Sequence, residues 1–471
     1  MTKYVSISIT FTIENEKGNK LYFKLSPGTL GDDLKYIQQS LMAAISPAIL
    51  MHLDDQIKET EMKGMKVLGT EKRTVVTEVG AIEINRRVYR SADGKRVKPL
   101  DELLGIAPYE RRNRHVQETE SVIAARSAYR SAAMISTMMT GVYVSPTTIG
   151  RDVRRVGGRI AESDQAFSTE DKGKIISDVL YGESDGILIR LQKDTEGKKY
   201  AEIKTAIAYT GKVRLSGHRK QLENKLTLAA VDVSSLQWQE MIRNHLYGRY
   251  DLDAVKLMAV GGDGGSWVGS SFDLCGIRRI ERVLDPFHIK KYVRTAFGDS
   301  LPLNALYNVL FHEGFDAVCD QLLPLLSKGN QSIRKARRDC YNYLSHHQDE
   351  ILPLSDRSLP FERLGTMGCI ESNVGKTIAL RMKTRGCSWS RAGAKAMAAV
   401  LCHLPQLEQH SFKVEEFRPT KKKYHSRTPA SQKILSNATI HQASFPIVKI
   451  GKTSVPLYHL FRNIISPKEL P

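Results

Sequence analysis

Cysteine is scarce in this chain, and the few cysteines that it has are scattered. No two of them stand close enough to form a C-x-x-C pair, which excludes a zinc ribbon and predicts no zinc site. A few unclustered thiols in a chain of 471 residues are typical of a reducing cytoplasm. The cysteines are Cys275, Cys319, Cys340, Cys369, Cys387 and Cys402.

Two other features are missing: long apolar runs and complete phosphate-binding loops. No apolar run approaches the roughly 18–20 residues of a membrane span, and the N-terminal MTKYVSISITF alternates instead of forming the apolar stretch of a signal peptide. VGKT at 374–377 has Ile370 where a Walker A loop needs glycine, and GGDGGSW has Trp267 where a dinucleotide fingerprint needs one. We therefore predict a cytoplasmic protein with no membrane contact and no nucleotide cofactor.

Acidic residues are outnumbered by basic ones. The chain holds 70 Lys and Arg against 51 Asp and Glu, which gives a net charge of +19 and a pI near 9.5. A surplus of this size favours a polyanionic partner, most often nucleic acid. A merely basic protein and a protein that binds a membrane surface are the alternatives.

Residues 117–165 have the pattern of a helix-turn-helix. The helical run ETESVIAARSAYRSAAMISTMM is followed by the turn GVYVS and by PTTIGRDVRRVGGRIAE, with Ser145 placed to cap the second helix and Pro146 at its first position. In a helix that reads DNA, hydroxyl and guanidinium groups near the start contact bases and phosphates. An ordinary helical hairpin with a solvated arginine face is the alternative. The candidate DNA contacts are Thr147, Thr148, Arg151, Arg154 and Arg155.

Hydrophobic periodicity divides the chain into further parts and predicts an α/β fold, α+β overall. Residues 1–116 form a small α+β region with β-hairpins ahead of the helix-turn-helix. Residues 175–300 and 361–408 indicate two halves of a core, separated by a mainly helical insertion at 301–360 and followed by a basic linker and tail at 409–471. Within the core, VLYGESDGILIRLQ predicts two strands with a tight connection at 182–186.

Three acidic residues stand at the ends of predicted core elements. Asp185 lies in GESDG, Asp263 lies in GGDGG after an apolar strand, and Glu371 opens a helix in GCIESN. Acids from an early strand, a later strand and a helix match a ribonuclease-H-like mixed sheet. Such oxygen ligands suit Mg²⁺ or Mn²⁺, and two ions can clamp the attacking and leaving oxygens of a phosphoryl transfer. The glycines around Asp263 would then leave room for a phosphate backbone.

Each acid by itself has an ordinary alternative, because SDG is a common surface turn and a first-turn helical carboxylate is favoured by the helix dipole. Two features support the set. Asp285 and His288 share one helical turn in DPFHIKKY, where His288 would donate to a phosphate, orient Asp285 or be a structural histidine. Residues 372–391 contain no acid, so their basic side chains are either a solvated face or contacts for DNA phosphates. The candidates there are Lys376, Arg381, Lys383 and Arg385.

The ordered set of motifs resembles bacterial insertion-sequence transposases of the DDE class, and among them the ISLre-type family. The resemblance covers residues 70–405 and rests on VLYGESDGILIRLQ, the YTG after the third strand, GGDGGSWV, VLDPFHIKKY and IESNVGKTIALRMKTRGCSWSRAGA. It implies that Asp185, Asp263 and Glu371 hold two Mg²⁺ or Mn²⁺ ions and catalyse DNA strand cleavage and strand transfer. Many relatives carry cysteines near the N-terminus, whereas this chain has none before Cys275, so no zinc module is predicted.

The resemblance also implies partners. The helix-turn-helix would read the terminal inverted repeats of the element, and the protein would act at the bacterial nucleoid. Because two DNA ends must be joined, we expect a homodimer or a higher oligomer on DNA.

Two other functions fit the same residues. A structure-selective nuclease of this fold would cut DNA without joining it, and a DNA-binding regulator would keep the core only as a scaffold. The presence of all three acids argues against the regulator. The helical insertion and the N-terminal DNA-reading region favour the transposase.

Overall fold

A computed structural model describes residues 9–14, 20–25, 34–91, 93–165, 173–192, 197–217, 219–361, 364–384 and 386–411. The predicted tail lies outside the described residues from 412 onward. Among the described helices, none combines the length and the hydropathy that a membrane crossing requires.

The first part of the described chain is a small α+β region. Its elements are β1 (Ile9–Glu14), β2 (Lys20–Leu25), α1 (Leu34–Thr60), β3 (Val67–Thr77), β4 (Gly80–Arg90), β5 (Arg96–Val97) and α2 (Pro99–Leu103). Strands β1 and β2 pair as a hairpin, and β3, β4 and β5 form a second antiparallel sheet. The turn into β4 is tight because Gly80 takes a φ of 119°. Helix α1, this sheet and α2 share one core, which includes Ile57, Ile84 and Leu100.

Three helices follow, in the region for which a helix-turn-helix was predicted: α3 (Arg114–Arg126), α4 (Tyr129–Thr140) and α5 (Pro146–Gln165). The long first helix of the prediction is broken, since Ser127 and Ala128 are both extended. Helix α4 ends at Gly141, which takes the left-handed conformation. Ser145 caps α5 as predicted, because its Oγ accepts a hydrogen bond from the Thr148 amide at 3.2 Å.

The core is a five-stranded mixed sheet with a separate hairpin. The strands are β6 (Val179–Arg190), β7 (Tyr200–Tyr209), β8 (Gly211–Ser216), β9 (Arg219–Glu223), β10 (Leu226–Val231), β11 (Leu257–Gly262) and β12 (Ile280–Leu284). The order across the sheet is β10-β7-β6-β11-β12, while β8 pairs with β9 alone. Strands β6, β7 and β10 run antiparallel, and β11 and β12 run parallel to β6. This arrangement is the predicted ribonuclease-H-like fold.

The prediction of two strands joined at 182–186 is wrong. Strand β6 is unbroken, and every residue from Tyr181 to Arg190 pairs with β7. Gly182 marks close packing and not a turn, since a Cβ there would lie 2.6 Å from Met258 Cε and from Phe272 Cζ. Asp185 therefore lies in the middle of a strand.

Helices connect the strands and form the insertion. They are α6 (Ser235–Tyr247), α7 (Ser266–Gly269), α8 (Pro286–Phe297), α9 (Leu303–Glu313), α10 (Asp316–Leu322), α11 (Gln331–His346) and α12 (Gln348–Ile351). Helices α9 to α12 share a core with α8, which includes Val293, Leu310 and Leu344. The chain then returns to the sheet through α13 (Ile370–Val374), a π-helical turn (Gly375–Ala379), α14 (Leu380–Met382), α15 (Arg391–Cys402) and α16 (Leu404–Ser411).

Both faces of the sheet are covered. One face packs against α6, where Trp238 and Leu246 are fully buried. The other face shares a continuous core with α3, α4, α5 and α15. Helices α5 and α15 are so close that a Cβ on Gly157 would lie 2.6 Å from Ala396 Cα. Helices α3, α4 and α5 are therefore part of the same hydrophobic core as the sheet.

Candidate metal centre

Three parallel strands bring three aspartates to one level of the sheet. The register pairs Gly261 of β11 with Glu183 of β6. Asp263 directly follows β11 and Asp285 directly follows β12, which end at the paired residues Gly262 and Leu284, so a continuation of this register would set both aspartates level with Asp185. Because side chains alternate along a strand, Glu183 and Asp185 point to the same face.

Glu183 holds the segment that carries Glu371. Its carboxylate is 1% exposed, and its Oε2 accepts hydrogen bonds from the amides of Cys369 at 2.7 Å and Ile370 at 2.9 Å. Its Oε1 accepts a hydrogen bond from Tyr209 Oη at 2.7 Å. Burial raises the pKa of Glu183 despite these three donors. The carboxylate therefore fastens the start of α13 to the middle of the sheet, and Glu371 is the next residue.

The side chains of Asp185, His288 and Glu371 converge in what we call the Asp185 cluster. One ligand atom from each residue lies within 4.8 Å of the other two. Asp185 comes from the middle of β6, His288 from the first turn of α8 and Glu371 from α13. Asp185 is 9% exposed, His288 is half-buried and Glu371 is exposed, so the cluster is open to solvent at Glu371.

Negative charge accumulates at the Asp185 cluster. The pKa of Asp185 is raised to about 6, first by burial and then by the carboxylates of Asp263 and Glu371. The amide of Gly186, which donates to Asp185 Oδ1 at 2.7 Å, and the imidazole of His288 act in the opposite direction. A cation bound among these carboxylates would offset their mutual repulsion.

Asp263 lies beside the cluster without being one of its three converging ligands. Its Oδ1 accepts a hydrogen bond from the Gly265 amide at 2.9 Å, and its carbonyl accepts one from Tyr343 Oη at 2.9 Å. Tyr343 belongs to α11, so the helical insertion supports the loop that carries Asp263. Of the predicted trio, Asp185 and Glu371 come together, and Asp263 lies within electrostatic reach of Asp185.

Asp285 caps the helix that presents His288. Its Oδ1 accepts a hydrogen bond from the Phe287 amide at 2.9 Å, and its own amide donates to the Gly262 carbonyl at 2.7 Å. The side chain is buried, and within the described part of the chain its Oδ2 has no hydrogen-bond partner. A buried carboxylate oxygen without a donor is costly, and a cation or an ordered water would relieve it.

Two of the glycines around Asp263 are required by the fold itself. A Cβ on Gly262 would lie 2.1 Å from Val268 Cγ1. Gly264 has a φ of 83°, and a Cβ there would lie 2.9 Å from His347 Nε2. These two positions therefore require glycine for internal packing and backbone conformation.

The candidate DNA contacts of α5 fall into two groups. Three of them are exposed at the start of the helix: Thr147, Arg151 and Arg154. The other two have partners within the protein. Thr148 Oγ1 lies 3.0 Å from Ser145 Oγ, and Arg155 forms ion pairs of 3.3 Å with Glu110 and with Asp152.

The basic side chains after Glu371 also differ in exposure. The exposed ones are Lys376 and Lys383. Arg381 is buried, with its guanidinium 5.2 Å from the ring of Tyr129 and 4.9 Å from the ring of Trp389. This placement argues against a contact of Arg381 with DNA. Arg385 lies outside the described residues.

Sequence reasoning did not find Glu183 and gave His288 only a supporting role. The signal for Glu183 was its position two residues before Asp185, because residues i and i+2 share a face of one strand. Because the sequence predicted a turn at 182–186, residues 183 and 185 were not expected to lie on one strand. His288 joins the acids because α8 begins directly after β12, at the edge where β11 also ends.

A second group of carboxylate and imidazole side chains joins three helical segments, and we call it the Asp164 cluster. Asp164 Oδ2 lies 3.4 Å from His245 Nε2, and its Oδ1 lies 3.3 Å from His403 Nε2. The Nδ1 atoms of the two histidines donate to the carbonyls of Met241 at 2.8 Å and Ala399 at 3.1 Å. Against the effect of burial, the two imidazoles lower the pKa of Asp164, and Asp164 raises the pKa of His403.

The comparisons with known protein sequences give one family. A family model described as "Uncharacterised protein family (UPF0236)" matches residues 24–411, which is most of the chain. No curated protein matches the chain significantly.

Solved structures include several distant likenesses. The "Drosophila P element transposase strand transfer complex" is 12% identical, over 77% of this chain and 92% of that chain, with a TM-score of 0.25. A crystal structure of NurA is 11% identical, over 57% of this chain and 65% of that chain, with a TM-score of 0.10. NurA bound to dAMP and manganese is 10% identical, over 58% and 65%, with a TM-score of 0.10.

Proposed function

We propose that this chain, which belongs to the uncharacterised protein family UPF0236, is a DDE transposase of the ISLre type. It would bind the terminal inverted repeats of its insertion sequence, cut DNA strands there and join them to target DNA. The observation that carries the proposal is the Asp185 cluster. On a ribonuclease-H-like sheet, ligand atoms of Asp185, His288 and Glu371 lie within 4.8 Å of one another, and Asp263 lies beside them.

The donor set of the Asp185 cluster fits a divalent cation. Its carboxylates suit Mg²⁺ and Mn²⁺, and the imidazole of His288 is a ligand that transition metals accept. The pKa of Asp185 is raised to about 6, first by burial and then by the charges of Asp263 and Glu371. A bound cation would offset the repulsion from these two carboxylates. The set therefore fits Mn²⁺ at least as well as Mg²⁺.

We assign Asp185 to both ions. With Asp263 it would hold one, and with Glu371 the other. The ions supply activation of the attacking hydroxyl and charge neutralisation at the scissile phosphate. The chain keeps these ligands in position through Glu183, which fastens the segment of Glu371, and through Tyr343, which supports the loop of Asp263.

The exposed start of α5 supports recognition of the element ends. Thr147, Arg151 and Arg154 are exposed there, and the net charge of +19 favours a DNA partner. Lys376 and Lys383 are exposed on the segment after Glu371 and would contact phosphates near the scissile bond. Because two DNA ends must be joined, we expect a homodimer or a higher oligomer on DNA.

Strand cutting tests the proposal directly. The purified protein is incubated with Mn²⁺ and a supercoiled plasmid that carries the DNA flanking its coding region. The wild type is expected to cut at the repeat sequences and to insert them into target DNA. Asp185→Asn should slow cutting by about 10²–10³-fold and leave DNA binding intact, because a group that stabilises charge at the reacting centre is typically worth that much.

The matched control is Asp178→Asn. Asp178 is exposed just before β6 and pairs with Lys256 at 3.0 Å, so the same chemical change should leave cutting at the wild-type rate. An Asp185→Asn variant that cuts and joins DNA like the wild type would refute the assignment. Cutting by the wild type without joining would favour the nuclease instead.

A further inference from the structure

The hairpin of β8 and β9 stands apart from the five-stranded sheet. Its strands pair only with each other, and most of its described side chains are exposed. Residues 211–225 contain five Lys or Arg and one carboxylate. An isolated two-stranded hairpin is marginally stable, so an excess of one charge on it calls for a physical reason.

Two cations face each other across this hairpin. The register pairs Arg214 with Lys220 and Lys212 with Leu222. Lys212, Arg214 and Lys220 therefore lie on one face. Among the described residues, none of these three side chains forms an ion pair with a carboxylate. Like charges directly opposite each other destabilise an antiparallel pair, and a bound anion would offset that repulsion.

The base of the hairpin contacts the segment that carries Glu371. Lys212 Nζ donates to the carbonyl of Thr366 and lies 3.4 Å from its hydroxyl. Lys225 Nζ donates to Asn373 Oδ1 at 2.9 Å. Thr366 precedes Glu371 and Asn373 follows it, so the basic face begins next to the segment that presents this acid.

We propose that this hairpin binds the phosphate backbone of double-stranded DNA beside the scissile site. Arg214 and Lys220 would contact phosphates, and Lys212 anchors the hairpin to Thr366. The inference rests on the proposed function, from which it takes DNA as the substrate. A phosphate between Arg214 and Lys220 would stabilise the pair, and each contact would release a counterion from DNA.

The salt dependence of DNA binding tests this proposal. The binding of a labelled duplex from the flanking DNA is followed by fluorescence anisotropy over a range of salt concentrations. Arg214→Gln with Lys220→Gln should reduce the slope of log K against log salt by about 2, because each phosphate contact contributes about 0.9. An unchanged slope would overturn the proposal.

The matched control is Lys72→Gln with Lys256→Gln. Both lysines are exposed but already paired with carboxylates, Lys72 with Glu83 at 2.8 Å and Lys256 with Asp178 at 3.0 Å. The control removes the same two charges and should keep the wild-type slope. An equal fall in slope for the control would mean that overall charge and not the hairpin sets the binding, which would also overturn the proposal.

Lys220→Glu separates binding from folding. It places a carboxylate opposite Arg214, so it should raise the melting temperature while it weakens DNA binding. A merely structural hairpin would not couple these two changes in opposite directions. A variant that binds DNA with wild-type affinity would contradict the proposal, whatever its melting temperature.

Strand cutting on the same DNA distinguishes the two failures. If the wild type binds and cuts but the hairpin variants bind with the wild-type slope, only the hairpin inference fails. If the wild type neither binds nor cuts, the proposed function fails, and this inference fails with it.

Discussion

The Asp185 cluster and the Asp164 cluster contain the same kinds of side chain in opposite proportions. In the Asp164 cluster one carboxylate lies between two imidazoles, at 3.4 and 3.3 Å. In the Asp185 cluster two carboxylates share one imidazole, and a third carboxylate, that of Asp263, lies beside them. The first arrangement is balanced by its own side chains, whereas the second holds more carboxylates than the described side chains around it balance.

The effect of the neighbours on each central aspartate follows this difference. The two histidines lower the pKa of Asp164 although burial opposes them. Burial, Asp263 and Glu371 raise the pKa of Asp185 to about 6, against the opposing effect of His288. A cluster that only joins helices satisfies its own charges, and a cluster that leaves them unsatisfied is the better candidate for binding a cation.

The largest expected effect comes from removing the support of the Asp185 cluster. Glu183→Ala leaves three donors without an acceptor: the amides of Cys369 and Ile370 and the hydroxyl of Tyr209. Each unsatisfied buried donor costs about 1–3 kcal/mol, so we expect unfolding to be easier by about 3 kcal/mol. Mn²⁺ affinity should fall by about 10–100-fold, as for other residues that orient a metal ligand. Chemical denaturation and Mn²⁺ titration measure the two effects.

Glu183→Gln is the matched control, because its amide oxygen still accepts the two backbone amides. Glu183→Gln should lower the free energy of unfolding by only about 1 kcal/mol, and it should retain most of the Mn²⁺ affinity that Glu183→Ala loses. A Glu183→Ala variant that binds Mn²⁺ like the wild type would mean that Glu371 does not depend on Glu183 for its position.

Addition of Mn²⁺ should distinguish the two clusters, with a change in stability slightly smaller than that expected for Glu183→Ala. A ligand at 100 times its Kd stabilises the native state by about 2.7 kcal/mol. We expect this increase in the free energy of unfolding for the wild type and for Asp164→Asn, but not for Asp185→Asn. Without metal at neutral pH, we expect Asp185→Asn to be more stable than the wild type. The substitution removes a carboxylate whose raised pKa makes its charged form unfavourable in the native state. Thermal denaturation with and without Mn²⁺ measures both.

The same substitution in both clusters makes this comparison internally controlled. An equal Mn²⁺ stabilisation of Asp185→Asn and the wild type would place the ion elsewhere. A loss of the effect in Asp164→Asn would mean that the balanced cluster is the one that binds the ion.

Local patterns in the sequence predicted much of the sheet and part of the site. The apolar strand before Asp263, the helix opened by Glu371 and the cap at Ser145 all follow from short-range rules, and all are present. Glycine is typical of turns, so Gly182 favoured the prediction of a break in β6. The structure requires glycine there for another reason: a Cβ would collide with Phe272 across the core, a residue 90 positions away in the sequence.

The features that sequence patterns did not predict depend on contacts between distant segments. Arg381 stands in a basic run without acids, which predicted a DNA contact, but its guanidinium lies between Tyr129 and Trp389. The Asp164 cluster draws its members from α5, α6 and the end of α15, and no spacing relates them. Short-range patterns place residues on elements, and only packing decides which side chains meet.

The Asp164 cluster gives the smallest predicted effect, and that effect depends on pH. Asp164 has a pKa below its unfolded value, so its contribution to stability is present above pH 3.8 and is lost as pH falls through its folded pKa. His403 has a pKa above its unfolded value of 6.5, so its contribution is full below that pH and is lost as pH rises through its folded pKa. The cluster is therefore most stabilising between these two limits.

Asp164→Asn should accordingly cost about 1–2 kcal/mol near pH 5.5, where the carboxylate is charged and His403 is protonated. Near pH 8.5 the cost should be smaller, because a neutral His403 that donates its Nδ1–H to the carbonyl of Ala399 turns a lone pair toward the carboxylate. Urea denaturation at the two pH values measures the difference, and Asp178→Asn serves as a surface control. A cost that is equal at both pH values would mean that Asp164 contributes shape and not charge, and the contrast with the Asp185 cluster would then rest on Asp185 alone.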